Sequence, residues 1–256
     1  MVSGAVVANL TRPLARRGAV FDGVDDFVDV PHNINQLADS LSNGFTLSAW
    51  VNSQSLGESG GKIIDKSTGS AGNNGFTLQH GAINNLVLFT INGGTFASTG
   101  NQKLIPNTGW HHVLVTISSG QLVNIYLDGI LTGSANQDVV QTISTITTTG
   151  DLRIGNRAIA TLNTWDGALS KIQMWNRVLN STEIANDLIG VEITDSRIVN
   201  VPLDSYDGVT NSGSRLTAWD DQVMGDVSGA RVTASDQYMI AVHGDKILTT
   251  VVEEAP

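Results

Sequence analysis

Alternating apolar and polar residues between Trp110 and Ser134 predict three neighbouring β-strands. Within this stretch, the runs 113–117 and 123–127 carry large or branched apolar side chains at every second position. A period of two turns one row of side chains toward a core and leaves the other row for solvent, a ligand or a partner. Turn-forming residues at 118–120 and 128–129 separate the runs. We therefore expect a three-strand antiparallel meander.

The same alternation recurs over most of the chain and predicts an all-β fold. It is clearest in Gly44–Ser53, where apolar side chains occupy every second position from Phe45 to Val51. The segment 19–31 places Asp and Gly residues between two short apolar runs, so we expect a β-hairpin there with its turn at 22–26. Further strands are expected at 62–66, 76–80, 85–91, 95–98, 151–156, 168–175, 198–203, 237–242 and 246–252.

One segment favours a helix instead. Asn180 stands three residues before Glu183, which is the spacing of a capping box, and Gly190 ends the segment. We expect a helix of about two turns that packs over an open end of the β-structure. A shorter helical turn is expected within 33–42.

Composition and charge narrow the possible partners. Only 15% of the residues are charged, the net charge is −10 and there is no cysteine, so we expect no disulfide, no thiolate site and no nucleic-acid partner. No run reaches the roughly 18 apolar residues of a membrane-spanning helix, and we expect no membrane insertion. The basic cluster Arg12, Arg16 and Arg17 lies in residues 1–18. We interpret that segment as an arm that docks onto a neighbouring subunit.

Six motifs occur in order along the chain: FDGVDDFV at 21–28, FTLSAWV at 45–51, WHHV at 110–113, YLDG at 126–129, LRIG at 152–155 and WNRVLN at 175–180. Together they resemble the laminin-G-like, concanavalin-A-like jelly-roll family. The resemblance covers 19–190 and implies a two-sheet antiparallel β-sandwich. We expect residues 191–256 to form a C-terminal β appendage or a small second module. The fold alone implies no single function, because it carries lectins, adhesion modules, glycosidases and structural domains.

The acidic residues argue against the glycosidase chemistry that the resemblance allows. Glycosidases of this superfamily place two Glu and one Asp on alternate residues of one strand, with the acid and the nucleophile about 5–5.5 Å apart. None of Glu58, Glu183, Glu192, Glu253 and Glu254 has such a neighbour in a predicted strand. We therefore expect no enzyme, and glycoside hydrolysis is the third choice.

A nucleophile elbow is not expected either. Gly57–Gly61 matches the pattern G-x-S-x-G, but a strand is predicted at 62–66 where the elbow requires a helix.

The resemblance also implies a Ca²⁺ site near the first predicted hairpin. Asp22, Asp25, Asp26 and Asp29 supply within eight residues the hard oxygen ligands that Ca²⁺ prefers, and Asp166 is a candidate for the acid that joins them. The family's Ile-Asp-Glu is replaced here by Leu169–Lys171, which removes two carboxylates and adds a repulsive ammonium group. Two interpretations stay open: a Ca²⁺ site, or aspartates that only form turns. No other cofactor is expected.

Glycan binding would require aromatic platforms with polar groups beside them. Trp50, His112 and Tyr126 fall on the rows that face away from the predicted core and could share one sheet face, and Trp165 lies in a predicted loop. Alternatively, Trp50 and Trp110 cover the sheet edge or meet the appendage. His111 and His112 point to opposite faces of a strand, so we expect a hydrogen-bonded His111 at the core edge and no shared metal ion.

These observations favour a non-catalytic surface recognition or adhesion module. The polar, weakly charged all-β composition also resembles phage tail or capsid-surface proteins, in which copy number multiplies weak contacts to surface glycans. The alternative is a structural capsid or tail decoration protein, or cement protein, that binds no glycan. We expect partners among other virion subunits, reached through the termini, in an oligomeric or multivalent assembly. Residues 1–30 lack a signal-peptide core; we therefore expect display on a virion surface, or an extracellular location if a leader precedes this sequence.

Overall fold

The computed structural model describes residues 18–30, 44–68, 74–91, 94–97, 102–119, 122–135, 150–158, 162–203, 206–209, 215–219, 222–228, 230–232 and 239–240. Within these residues the chain forms strands and one helix, α1 (Ser181–Leu188). The strands are β1 (Ala19–Asp22), β2 (Phe27–Val30), β3 (Gly44–Ser53), β4 (Lys62–Lys66), β5 (Phe76–His80), β6 (Val87–Ile91), β7 (Gly94–Ala97), β8 (His111–Ser118), β9 (Val123–Leu127), β10 (Ile130–Ala135), β11 (Leu152–Ile154), β12 (Asp166–Trp175), β13 (Arg197–Val201), β14 (Tyr206–Val209), β15 (Arg215–Trp219), β16 (Gln222–Ser228), β17 (Ala230–Val232) and β18 (Met239–Ile240).

The first sheet contains the predicted meander. Its strands run in the order β1-β12-β3-β8-β9-β10, and β13 also pairs with β12. All of these pairs are antiparallel. Between β9 and β10, Asp128 and Gly129 have φ values of 52° and 76°, as a tight turn with two left-handed residues requires. The meander predicted from the alternation is confirmed.

The second sheet runs in the order β15-β16-β2-β11-β4-β5-β6-β7. Its pairs along this path are antiparallel, and β18 adds to β16 in parallel. A separate antiparallel pair joins β14 to β17. Strand β3 and strands β4 and β5 have the bounds that the sequence predicts, because clear alternation and turn residues define both ends.

The two sheets pack face to face over an apolar core. Every second side chain of β3, from Phe45 to Val51, is fully buried in this core. The rings of Phe76 and Phe89 from the second sheet lie 5.3 and 6.4 Å from the Phe45 ring, centroid to centroid. The predicted antiparallel β-sandwich is therefore confirmed.

The expected hairpin at 19–31 is wrong. Strand β1 pairs with β12 in the first sheet, whereas β2 pairs with β11 in the second sheet. The intervening residues 23–26 carry the chain from one sheet to the other. A short acidic segment between two apolar runs suits a hairpin turn and a crossing between sheets equally well, because both need backbone reversal with Gly and Asp.

Helix α1 begins as predicted but lies elsewhere on the sandwich. The Asn180 side chain accepts hydrogen bonds from the N–H groups of Thr182 and Glu183 at 2.9 and 3.0 Å, and Glu183 Oε2 accepts from the Asn180 N–H at 2.9 Å. The capping box is therefore complete. However, Ile184 packs with Leu114 of β8 in a second apolar cluster. The helix covers the outer face of the first sheet, not an open end.

The C-terminal segment contributes strands to both sheets, since β13 pairs with β12 and β16 pairs with β2. The domain boundaries at 18/19 and 190/191 stay predictions. The predicted helical turn at 33–42, the strand at 246–252 and the arm residues Arg12, Arg16 and Arg17 lie outside the described residues. Across the described ranges, no helix has the length and apolar character needed to cross a membrane.

Candidate functional site

The crossing between β1 and β2 brings three carboxylates together. Asp22, Asp25 and Asp26 each place one oxygen within 4.8 Å of the other two. Two oxygens that bind one Ca²⁺ ion at about 2.4 Å are at most about 4.8 Å apart, so these carboxylates are close enough to be candidate ligands of one cation. Asp22 and Asp25 are exposed, whereas Asp26 is fully buried.

Asp26 has a carboxylate oxygen that lacks the contact a bound cation would supply. Its Oδ2 accepts a hydrogen bond from the Asp22 N–H at 2.8 Å, but its Oδ1 is buried and has no hydrogen-bond partner. Burial raises the pKa of Asp26 to about 7, and the charges of Asp22 and Asp25 contribute to the rise. A buried acceptor without a donor is unfavourable. A divalent cation would supply the contact that Asp26 Oδ1 lacks and would offset the repulsion among the three carboxylates. The three carboxylates therefore fit Ca²⁺.

Residues 22–26, called here the acidic loop, are hydrogen-bonded to the connection between β11 and β12. Thr164 Oγ1 donates to the Val24 carbonyl at 2.9 Å. Asn156 Nδ2 donates to Thr164 Oγ1 at 2.9 Å and to the Asp26 carbonyl at 3.4 Å. Because Asn156 and Thr164 are themselves buried, these bonds fix the loop in place before any ligand arrives.

Asp166 lies beside this loop but outside the cluster. It is the partner of Asp22 in the ladder between β1 and β12, and a Cβ at Gly23 would lie 3.1 Å from the Asp166 Cβ. Its carboxylate does not belong to the group that converges within 4.8 Å. The structure thus brings together three of the five aspartates that the sequence nominates. Asp29 instead pairs with Arg153, whose Nε lies 2.7 Å from Asp29 Oδ1.

Lys171 does not act as the repulsive group that the sequence suggests. Strand β12 has an irregularity between Ser170 and Gln173, and Lys171 there adopts a φ of 47°. Its Nζ lies 3.5 Å from Asp187 Oδ1 and 3.9 Å from Glu192 Oε1. The ammonium charge is therefore paired on the helix side of the first sheet.

The nominated aromatic residues are largely inaccessible to a glycan. Trp50, His112 and Tyr126 do share the outer face of the first sheet, as their register shows. However, His112 is 0% exposed and Trp50 is 8% exposed, with ring centroids 5.2 Å apart. Trp165 is 1% exposed and belongs to the core. Burial leaves Trp50, His112 and Trp165 little surface for stacking on a sugar, whereas Tyr126 is half-buried; their roles in glycan binding stay predictions.

A buried ionic network explains why this face is closed. His112 Nε2 lies 3.0 Å from Asp187 Oδ2 of α1, and Lys171 approaches the other carboxylate oxygen. Burial alone would raise the pKa of Asp187, but the hydrogen bond and the charge of His112, together with Lys171, hold it below its usual value. The network ties the helix to the sheet.

His111 is hydrogen-bonded, as expected. Its Nδ1 lies 2.8 Å from Asp128 Oδ2 and its Nε2 lies 2.7 Å from Thr108 Oγ1. The Thr108 hydroxyl donates its proton to the Ile105 carbonyl at 2.6 Å. These hydrogen bonds hold the turn that precedes β8.

Ser59 lies in a turn with a φ of 55° before strand β4, which is not the helix that a nucleophile elbow requires.

A groove of about 310 Å³ lies between α1 and the outer face of the first sheet. Thr116, Asn124 and Tyr126 contribute to it from β8 and β9, and Ala185 and Leu188 contribute from the helix. A volume near 300 Å³ is at the lower end of small-ligand sites. This groove is the part of the nominated face that the helix leaves open.

Comparison with known proteins agrees with this architecture. A family model of the concanavalin A-like lectin/glucanase superfamily, of laminin G type, matches residues 22–185. The chain belongs to this superfamily. The match begins at Asp22 and ends within α1, so it contains the three clustered aspartates and every lining residue of the groove except Leu188. Comparison with curated protein sequences finds no match.

Solved structures of low identity share the superfamily fold. A proposed carbohydrate-binding protein from Bacteroides ovatus superposes with a TM-score of 0.62 and 16% identity, covering 88% of this chain and 62% of that one. The chain thus spans less than two thirds of the Bacteroides protein. A heptameric SAP-like pentraxin from Limulus polyphemus gives a TM-score of 0.51 and 14% identity over 82% of this chain and 94% of the other.

Sequence reasoning missed the role of Asp187 and the groove beside it. The only available signal was Leu114 in β8. It is an apolar residue in an otherwise polar outer row, and so it requires an apolar cover. Helix α1 provides that cover through Ile184, and the alternation pattern could not show that the two segments meet.

Proposed function

We propose that the chain is a non-catalytic glycan-binding module whose loop end is organised by Ca²⁺. The observation that carries this proposal is the cluster of Asp22, Asp25 and Asp26 with the buried, unpartnered oxygen of Asp26. Ca²⁺ takes about 6–8 oxygen ligands, so three carboxylates leave positions for water or for sugar hydroxyl groups. Two of the three carboxylates are exposed, so a bound ion would face solvent.

Membership of a lectin-containing superfamily and the likeness to a proposed carbohydrate-binding protein support sugar as the ligand. The acidic cluster itself is poorly suited to catalysis. A general acid must contact the glycosidic oxygen, but Asp26, whose pKa is raised, is fully buried. Recognition without bond cleavage therefore accounts best for this arrangement.

We further propose that the module is displayed in many copies, as on a phage virion, because individually weak sugar contacts gain strength from multivalency. The low charge and polar composition support this context. The competing proposal is a structural decoration protein, in which the same sandwich binds neighbouring subunits and no glycan.

The test is a glycan array probed with multimerised full-length protein in Ca²⁺ and in chelator. We expect glycan signals in Ca²⁺ that chelator removes and Ca²⁺ restores. Asp22→Asn, which removes an exposed candidate ligand, should abolish them, whereas the control Asp195→Asn, at an exposed carboxylate paired with Arg177, should not. The absence of any glycan signal in multimerised protein would reject glycan binding and favour the decoration role.

A further inference from the structure

We infer that the groove between α1 and the first sheet is a second ligand site, for a neutral N-acetylated sugar. This inference rests on the proposed glycan-binding function and adds a site separate from the acidic loop, since none of the three clustered aspartates lines the groove. The ligand class follows from the floor, the walls and the charge of the groove.

The floor offers an aromatic ring beside open polar groups. Thr116 and Asn124 are direct partners in the ladder between β8 and β9, and Tyr126 follows Asn124 on the same face. In the part of the chain that the structure describes, the side chains of these three residues make no hydrogen bond. Thr116 is only 2% exposed and yet lines the groove. A carboxamide, a hydroxyl and an aromatic ring side by side suit a sugar that carries an amide group.

The walls are apolar and suit a methyl group. Val178 and Ile130 are 40% and 52% exposed, and both line the groove together with Leu188. An acetamido methyl group placed among these side chains would leave water, at a gain of about 1 kcal/mol for one methyl. A plain hexose has no methyl group to place among these side chains, so the acetamido group is the feature that the groove selects.

The charge of the groove selects against acidic sugars. Its described lining includes no Lys, Arg or His. The one ionisable acid, Asp128, accepts hydrogen bonds from His111 Nδ1 and from the His112 N–H, both at 2.8 Å. A carboxylated sugar would lie beside the Asp128 carboxylate, and the described lining has no Lys or Arg to attract it.

The groove is formed before a ligand arrives. The capping box and the His112–Asp187 contact fix α1 on the sheet. A Cβ at Gly129 would lie 2.8 Å from Leu188 Cδ2, so the turn between β9 and β10 lies directly against the end of the helix. A rigid site loses little conformational entropy on binding.

The experiment is a titration of the ¹⁵N-labelled full-length chain with N-acetylglucosamine, glucose and N-acetylneuraminic acid, followed by NMR. N-acetylglucosamine should shift the amides of Asn124, Tyr126 and Ala185 saturably, at roughly millimolar affinity as for a single weak site. Glucose should bind at least about tenfold more weakly, because it lacks the methyl and the amide. N-acetylneuraminic acid should cause no saturable shift.

Two leucine variants of the same helix test the location. Ala185→Leu fills the groove and should abolish the shifts, whereas Thr182→Leu, at an exposed position outside the lining, should leave them unchanged. Chelator should not affect them. Equal binding of glucose, or shifts that survive Ala185→Leu, would overturn the groove site; if array signals still require Asp22, the proposed function stands without it. If neither sugar titration nor array gives binding, both proposals fail.

Discussion

Replacing Asp26 by Asn should stabilise the Ca²⁺-free protein while removing its response to Ca²⁺. The folded-state pKa of about 7 lies above the ordinary aspartate pKa of 3.8, so between these pH values the folded chain holds a proton that the unfolded chain has released. Stability of the Ca²⁺-free protein therefore falls as pH rises from about 4 to about 7, and the whole loss is present at pH 8. An Asn side chain has no such titration.

The size of the effect follows from the pKa rise. At about 1.4 kcal/mol per pKa unit, ionising Asp26 in the folded state costs at most about 4 kcal/mol. Relaxation and entry of water reduce this cost, and we expect a gain of about 2 kcal/mol for Asp26→Asn at pH 8, or roughly 4–8 °C in Tm. For the wild type, Ca²⁺ at 100 times its Kd should add about 2.7 kcal/mol, and the variant should lose this increment.

The assay is thermal unfolding of wild type, Asp26→Asn and the charge-matched control Asp195→Asn at pH 5 and pH 8, with chelator and with Ca²⁺. The control should follow the wild type in every condition. A wild-type midpoint that Ca²⁺ does not change, combined with a variant that melts lower at pH 8 in chelator, would refute the reasoning and leave these aspartates as turn formers.

Two further stability measurements probe other parts of the sandwich. Gly155→Ala should destabilise the fold by more than about 3 kcal/mol, because Gly155 has a φ of 82° and a Cβ there would overlap the Phe21 ring. The control Gly190→Ala, at a φ of 84° with open space around it, should cost only about 1 kcal/mol. Equal denaturant midpoints for the two variants would contradict the packing argument. Asp187→Asn should cost about 3 kcal/mol by leaving buried groups without their anionic partner. Because the pKa of Asp187 is lowered, its contribution is present above pH 4 and lost below it, so the variant should show a weaker pH dependence of unfolding below about pH 4 than the wild type.

Much of the fold could be predicted because one physical signal controls it. Alternation with a period of two fixes which side chains of β3 and β8 enter the core, and Asp128–Gly129 fixes the turn that follows β9. The capping residues Asn180 and Glu183 likewise define the start of α1 within a few residues. These are local effects, so a single sequence contains them in full.

Contacts between distant segments could not be predicted in the same way. The outer row of β8 was polar enough to suggest a free surface at His112, yet Asp187, 75 residues later, supplies its partner. The pairing of β1 and β2 with different sheets also depends on strands far along the chain, β12 and β11. The candidate metal cluster was accessible from the sequence because its three aspartates lie within five consecutive residues.

The pairing of β12 has a practical consequence for dissecting this protein. Ile172 and Met174 of β12 lie opposite Val201 and Val199 of β13, and all four side chains are fully buried. A gene product cut at residue 190 would keep every family motif and still uncover an unsatisfied strand edge with apolar side chains behind it, which invites self-association. Fragments intended for binding assays should extend at least through Leu203.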